Sequence, residues 1–229
     1  MDEASAWQLI ATGDPTLFAI VRLSLAVSLA AVVLGAVIGL PLGAALALLR
    51  FRGRALLLVA LNAMMGLPPV VVGLATYLLL SRTGPLGNLG LLFTPTAMVI
   101  VQTVLIVPII GALTRQTIED LAQEYRDELA ALAVGPIGRM TTLLWDARFS
   151  LLTALLAGFG RAAAEVGAVM IVGGNIDGFT RTMTTAVALE TSKGDLPLAL
   201  GLGLILIAIV VAINAAAWAV RAVAERQAA

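Results

Sequence analysis

The sequence predicts an all-α membrane protein of five transmembrane helices, on three observations. Of its 229 residues, 60% are hydrophobic and only 12% charged, and mean hydropathy is +1.03, whereas a soluble domain carries about a quarter charged residues. Five apolar runs reach the roughly 20 residues that a bilayer requires. The basic residues between those runs fall unevenly on alternate sides. With no cysteine and no histidine, the chain offers no disulfide, no zinc or haem site built on those residues, and no Ser-His or Cys-His catalysis. Fourteen basic and fourteen acidic residues balance, so nothing points to nucleic acid, and no soluble domain stands out. The acidic start MDEASAWQ lacks the basic region of a signal peptide and reads as retained.

In order, the runs are residues 17–49, 55–80, 91–113, 149–172 and 196–220. The first is too long for a simple span and is interrupted by Gly35, Gly39, Pro41 and Gly43, which predicts a kinked or tilted helix with one end outside the hydrocarbon. The second contains Pro68-Pro69 and the third Pro108. A proline inside a span frees backbone carbonyls and bends or breaks the helix. Pro68 and Pro69 are candidates for a hinge or a static bend.

With the N-terminus outside, the cytoplasmic segments hold Arg50, Arg52, Arg54, Arg115, Arg126, Arg139, Arg148, Arg221 and Arg226. The external ones hold Arg82, Arg181 and Lys193, and Arg22 and Arg161 lie within spans. Positive charge favours the cytoplasmic side, so five spans leave the C-terminus in the cytoplasm. Asp2, Glu3 and Asp14 sit outside in this arrangement. No internal repeat of the kind found in many secondary transporters is detectable. The expectation is one membrane domain over residues 1–229, with a transmembrane core of about 17–220 and a cytoplasmic segment at about 114–148.

The fourth run, GFGRAAAEVGAVMIVGGN from Gly158 to Asn175, places Arg161 and Glu165 one helical turn apart. Ionised groups at membrane depth cost a few kcal/mol on insertion scales and face protein or a water-filled path. The pair reads as an intrahelical or cross-subunit clamp shaping a gate helix, or as a structural ion pair that fixes helix packing. Because Glu165 offsets the field of Arg161, a direct substrate ligand is the weaker role. The small residues around it allow close helix approach. Beyond it, Gly173 and Gly174 would let backbone amides face an anion, with Asn175, Thr180, Thr182, Thr184 and Thr185 as further donors.

In the cytoplasmic segment, Ile118, Leu121, Ala122, Tyr125, Leu129, Leu132 and Ala133 fall at helical spacing, with acidic and basic residues on the other faces. Gly135-Pro136 then ends that helix, the glycine suiting a left-handed terminal position. Residues 140–145 can form a second short helix. The result is an elbow, either packed on the bundle as a loop or docking a cytoplasmic partner.

ELAALAVG at Glu128–Gly135, followed by PIGRMTTLLWDAR, resembles the cytoplasmic signature of type I ABC importer permeases. That signature is Glu-Ala-Ala, three residues, Gly, and after about nine more an Ile-x-Leu-Pro-like end. Ala130, Ala131 and Gly135 are in register; Leu129 stands where the glutamate is usual, with Glu128 one residue early, and Asp146-Ala147-Arg148 replaces the terminal proline. GLPPVVVGL at Gly66–Leu74 and Gly84-Pro85-Leu86-Gly87 resemble the oxyanion permeases for molybdate, sulfate and tungstate. So does the run from Arg161 to Asn175. GGNIDGFTRTMTTAVALETSKGD at Gly173–Asp195 resembles the tungstate-uptake branch in particular.

The resemblance implies a non-catalytic permease subunit in a prokaryotic plasma or inner membrane, most similar to tungstate permeases, with molybdate or sulfate as the alternative cargo. Two copies would form the pathway. Each would dock Glu128, Ala130, Ala131 and Gly135 into a cytoplasmic ATPase subunit, and an external binding protein would deliver the anion. No phosphate loop occurs in the chain, so the chain itself binds no cofactor and ATP is used by the partner. A self-sufficient secondary transporter working through protonation of Glu165, and a non-transporting scaffold, are the readings from other classes.

Overall fold

In the computed structural model, residues 15–228 are described, with side chains described up to Val220. Asp2, Glu3 and Asp14, and the side chains of Arg221 and Arg226, lie outside that set. The described residues form ten α-helices, one 3-10 turn and no strand. Three helices are long and apolar enough to cross a membrane: α1 (Pro15–Leu48), α4 (Pro95–Glu124) and the Leu196–Val220 part of α10 (Leu196–Ala228). Two bent pairs raise the number to five if each is one span: α2 (Arg54–Met65) with α3 (Pro69–Leu80), and α6 (Pro136–Asp146) with α7 (Arg148–Ala163). The short helices are α5 (Arg126–Ala131), α8 (Gly167–Gly173) and α9 (Met183–Lys193). Three helices begin on a proline, Pro69, Pro95 and Pro136. The ring presets φ there, and the missing N–H would have had no intrahelical partner.

Three expectations are revised. α1 runs unbroken through Gly35, Gly39, Pro41 and Gly43, so these residues do not interrupt it. The glycines instead form a stripe at i, i+4 and i+8. A Cβ at Gly39 would lie 2.9 Å from Ile110 Cγ2, and one at Gly43 would meet the Gly111 carbonyl oxygen. α4 likewise continues through Pro108 to Glu124, taking in much of the stretch expected to form a separate elbow helix. The fourth run is two helices, α7 and α8, with Glu165 in the break between them.

The chain divides into two compact units. One comprises Val32–Leu67, Thr103–Phe159 and the chain from Ala217 onward. Its core at the elbow is Ala44, Ile118, Leu129, Leu143, Ala147 and Leu151. Arg54 ties the start of α2 to two neighbours, donating to the Leu46 carbonyl at 2.7 Å and to Glu119 at 2.8 Å. Arg115 grips the other oxygen of Glu119 at 2.7 Å.

The other unit comprises the described residues up to Ala31, Pro68–Gln102 and Gly160–Ala216. Leu17, Ile20, Met183, Ala186 and Leu202 pack together from α1, α9 and α10. Buried Ser24 accepts the Met183 N–H at 2.7 Å and donates to the Ile20 carbonyl. It thereby satisfies an amide at the start of α9 that has no intrahelical acceptor. α3 and α8 pack backbone to backbone, since a Cβ on Gly73 would sit 2.7 Å from Ala168 Cα.

Candidate functional site

Two sites emerge, one in each unit. The first is built around the break between α7 and α8. Arg161 stands in the last turn of α7 and Glu165 lies just outside it, so the pair is not intrahelical. Arg161 Nη1 donates to Glu165 Oε2 at 2.6 Å, and the Glu165 side chain is only 4% exposed against 31% for Arg161. Glu165 Oε1 accepts the Ala168 N–H at 2.9 Å, so the carboxylate bridges the end of one helix and the first turn of the next. Both of its oxygens are engaged.

Surrounding residues hold the break open. Gln102 Nε2, from α4, donates to the Ala162 carbonyl at 3.0 Å, which also accepts the Glu165 N–H at 3.2 Å where the last turn of α7 tightens. Thr184 Oγ1 donates to the Glu165 carbonyl at 2.8 Å, and its oxygen lies 3.3 Å from Thr182 Oγ1. The start of α3 presses on the start of α8, where a Cβ on Gly167 would sit 2.8 Å from Val70 Cγ2. Thus Arg161 and Glu165, the Pro68-Pro69 break that precedes α3, and Thr182 with Thr184 converge on one locus. Gln102 is absent from the sequence reading; the signal available was a lone amide in an apolar run.

Asn175 and Thr180 lie at the other end of α8. Thr180, 1% exposed, donates to the Gly173 carbonyl at 2.6 Å and accepts the Ile176 N–H at 2.9 Å. Thr182 and Thr185 share a capping box at the head of α9. These hydroxyls are committed to the loop. The Gly174 amide is likewise used, bonding the Met170 carbonyl at 2.9 Å with Gly174 left-handed at φ 74°. The donors expected to face an anion therefore serve the fold, because a connection buried at a helix end must satisfy its own polar groups. Asn175 is also left-handed, at φ 48°, and its Oδ1 is buried without a partner among the described residues.

The second site is the elbow that the sequence places in the cytoplasm. α4 ends at Glu124, and α5 carries Glu128, Ala130 and Ala131, all exposed. Leu129, which occupies the motif's usual glutamate position, is 7% exposed and anchors α5 to the unit's core. The left-handed residue that ends α5 is Ala133, at φ 48°, not Gly135. The Val134 amide reaches back to the Leu129 carbonyl in the manner of a helix terminus. Gly135 is extended, at φ −70° and ψ 167°, just before α6, and a Cβ there would meet nothing within 4 Å. Around it Leu132 and Ile137 are 74% and 76% exposed, leaving an apolar tip with Glu128 and Asp127 beside it.

No family model matches the chain. A probable anion ABC transporter permease protein of Haloferax volcanii is 43% identical over 198 residues, covering 82% of this chain and 84% of its own. The tungstate uptake system permease protein of Peptoclostridium acidaminophilum is 38% identical over 217 residues, 95% of each. The sulfate transport system permease protein of Escherichia coli is 31% identical over 187 residues, 77% of this chain and 63% of its own. Full-length likeness to a tungstate permease, a buried ion pair in a broken apolar helix and an exposed Ala-Ala-x-x-x-Gly elbow agree. The chain belongs to the oxyanion permeases of ABC transporters, non-catalytic multi-pass components of the inner membrane.

Proposed function

We propose that this permease carries tungstate inward as the membrane subunit of an ATP-driven importer, receiving the anion from an external binding protein. The observation that carries the substrate is the tungstate uptake permease aligned over 95% of both chains. A second tungstate permease, from Campylobacter jejuni, is 39% identical over 145 residues. Sulfate and molybdenum permeases are less similar, at 31% and 27%, and supply the alternative cargoes.

The chain acts as one membrane domain of five spans, with the N-terminus outside and the C-terminus in the cytoplasm, and pairs with a second copy to form the pathway. The elbow docks on a partner ATPase that binds and hydrolyses ATP. Gly135 supports this. Its backbone angles suit any residue and its Cβ position is empty, so nothing among the described residues requires a glycine there, whereas close approach of a partner does. Exposed Leu132 and Ile137 supply apolar contact for such a partner. At the other site, Arg161 and Glu165 clamp the broken helix as a gate element, and the Pro68-Pro69 break lets α3 pivot against α8. Glu165, with both oxygens bonded, favours this clamp over a proton carrier.

The test is reconstitution with the candidate ATPase and binding protein, with ATP hydrolysis measured against tungstate, molybdate and sulfate. Stimulation by tungstate at the lowest concentration is the expected result. Stimulation by another oxyanion first would change the substrate, and anion uptake without any ATPase would replace the importer with a secondary carrier.

A further inference from the structure

Arg161 is neutralised by Glu165, but a second arginine within a span is not. Arg22 sits two turns into α1, exposed, with no acceptor among the described residues. α1, at 34 residues, is longer than the roughly 20 that a bilayer core requires, and a long cationic side chain near its start can reach polar surroundings. Arg22 lines a half-open cavity of about 210 Å³ between α1 and the turn at residues 177–181. Across the cavity stands Arg181, 17% exposed and bonded to Asp177 at 3.0 Å, with its Nε buried and without an acceptor. The turn is stiff, because the amides of Phe179, Thr180 and Arg181 all bond the Ile176 carbonyl. The position of Arg181 is therefore set before any ligand arrives.

We propose that this cavity is an anion site of the permease itself, holding a tetrahedral oxyanion between Arg22 and Arg181. The inference rests on the oxyanion reading above and deepens it by naming where the anion is held. Two guanidinium groups face one carboxylate, leaving a net positive cavity with N–H donors to spare. The volume accommodates a tetrahedral oxyanion with part of its hydration shell. Asp177, 66% exposed, offsets some of the field. The site holds the anion loosely, as a transport route requires, since a tight site would slow release. The same chemistry fits the phosphate of a lipid headgroup, to which a long cationic side chain in a span can extend.

The full permease with its ATPase, in nanodiscs of zwitterionic lipid and without binding protein, is titrated with radiolabelled tungstate. We expect Arg22→Gln and Arg181→Gln each to weaken binding about tenfold, as for loss of a charge-assisted hydrogen bond. Arg181→Lys should keep part of it, and serves if Arg181→Gln folds poorly. Asp177→Asn should tighten binding severalfold, a gain that a merely structural role for the ion pair does not produce. Arg82→Gln, exposed and away from the cavity, should leave it unchanged. If tungstate does not bind but phosphatidylglycerol is retained by the wild type in mixed nanodiscs and lost from both Gln variants, the site stands with a lipid headgroup as its oxyanion. Unaltered tungstate and lipid binding in the arginine variants overturns the inference. The oxyanion reading fails separately, if no oxyanion stimulates ATP hydrolysis in the wild-type complex with its binding protein.

Discussion

Glu165 is nearly inaccessible, and its two oxygens are spent on Arg161 and on the Ala168 amide. Removing only the arginine leaves a buried carboxylate with one backbone donor, which should cost about 2 kcal/mol. Arg161→Ala is therefore expected to lower the melting temperature and transport more than the double variant Arg161→Ala/Glu165→Ala, which removes both charges. Equal losses in the two, read by thermal unfolding and uptake, would remove the ion-pair argument. Gly135 predicts the opposite pattern. Gly135→Leu enters open space from an ordinary backbone conformation, so stability should stay within about 0.5 kcal/mol. Co-purification with the ATPase and anion-stimulated hydrolysis should be lost. Normal uptake by that variant would falsify the docking role of the elbow.

At the scale of elements, the glycines of α1 show how one residue type serves different ends. The stripe Gly35, Gly39 and Gly43 meets Ile106, Ile110 and the Gly111–Arg115 backbone of α4. Close approach of this kind drives helix association where lipid removes any hydrophobic gain from burying apolar side chains. Gly43→Leu places a side chain against the Gly111 carbonyl and within 2.7 Å of Thr114 Cβ. We expect destabilisation of about 2 to 3 kcal/mol and a lower yield of folded protein in detergent, with Gly203→Ala, at an ordinary helical position where a Cβ meets nothing within 4 Å, as the comparison. The break between α7 and α8 belongs to this scale too. Gln102, Thr184 and Glu165 take up backbone groups at or beside it, which lets an apolar helix stop and restart without leaving polar atoms to hydrocarbon.

For the molecule as a whole, the distribution of arginines is the main orienting force. A tag placed after the last residue should be accessible to a membrane-impermeant label only from the cytoplasmic side, in inverted vesicles and not in intact cells. Labelling from outside would overturn the five-span arrangement. The exposed apolar side chains along the long helices, among them Val33, Val37, Ile207 and Val211 at 60% or more, form surfaces suited to lipid or to a second copy of the chain.

Much of this was legible in the residues alone. Composition and run length determined an all-helical membrane protein, because only helices satisfy the backbone within so apolar a chain. Local spacing also determined the elbow, the Pro68-Pro69 break and the proximity of Arg161 to Glu165. Tertiary structure decided how those features are used. Neighbouring backbones turned the glycines of α1 into a packing stripe. Gln102 and Thr184, distant in sequence, made the fourth run two helices, and the loop's own carbonyls and amides took the threonine hydroxyls expected to greet an anion. Leu129 turned inward to the core, so Ala133 and not Gly135 became the left-handed helix end. Arg22 met Arg181 across a cavity that no local pattern announces. Periodicity and charge are local properties that a sequence displays, whereas the partner of a buried polar group is settled only when remote segments pack.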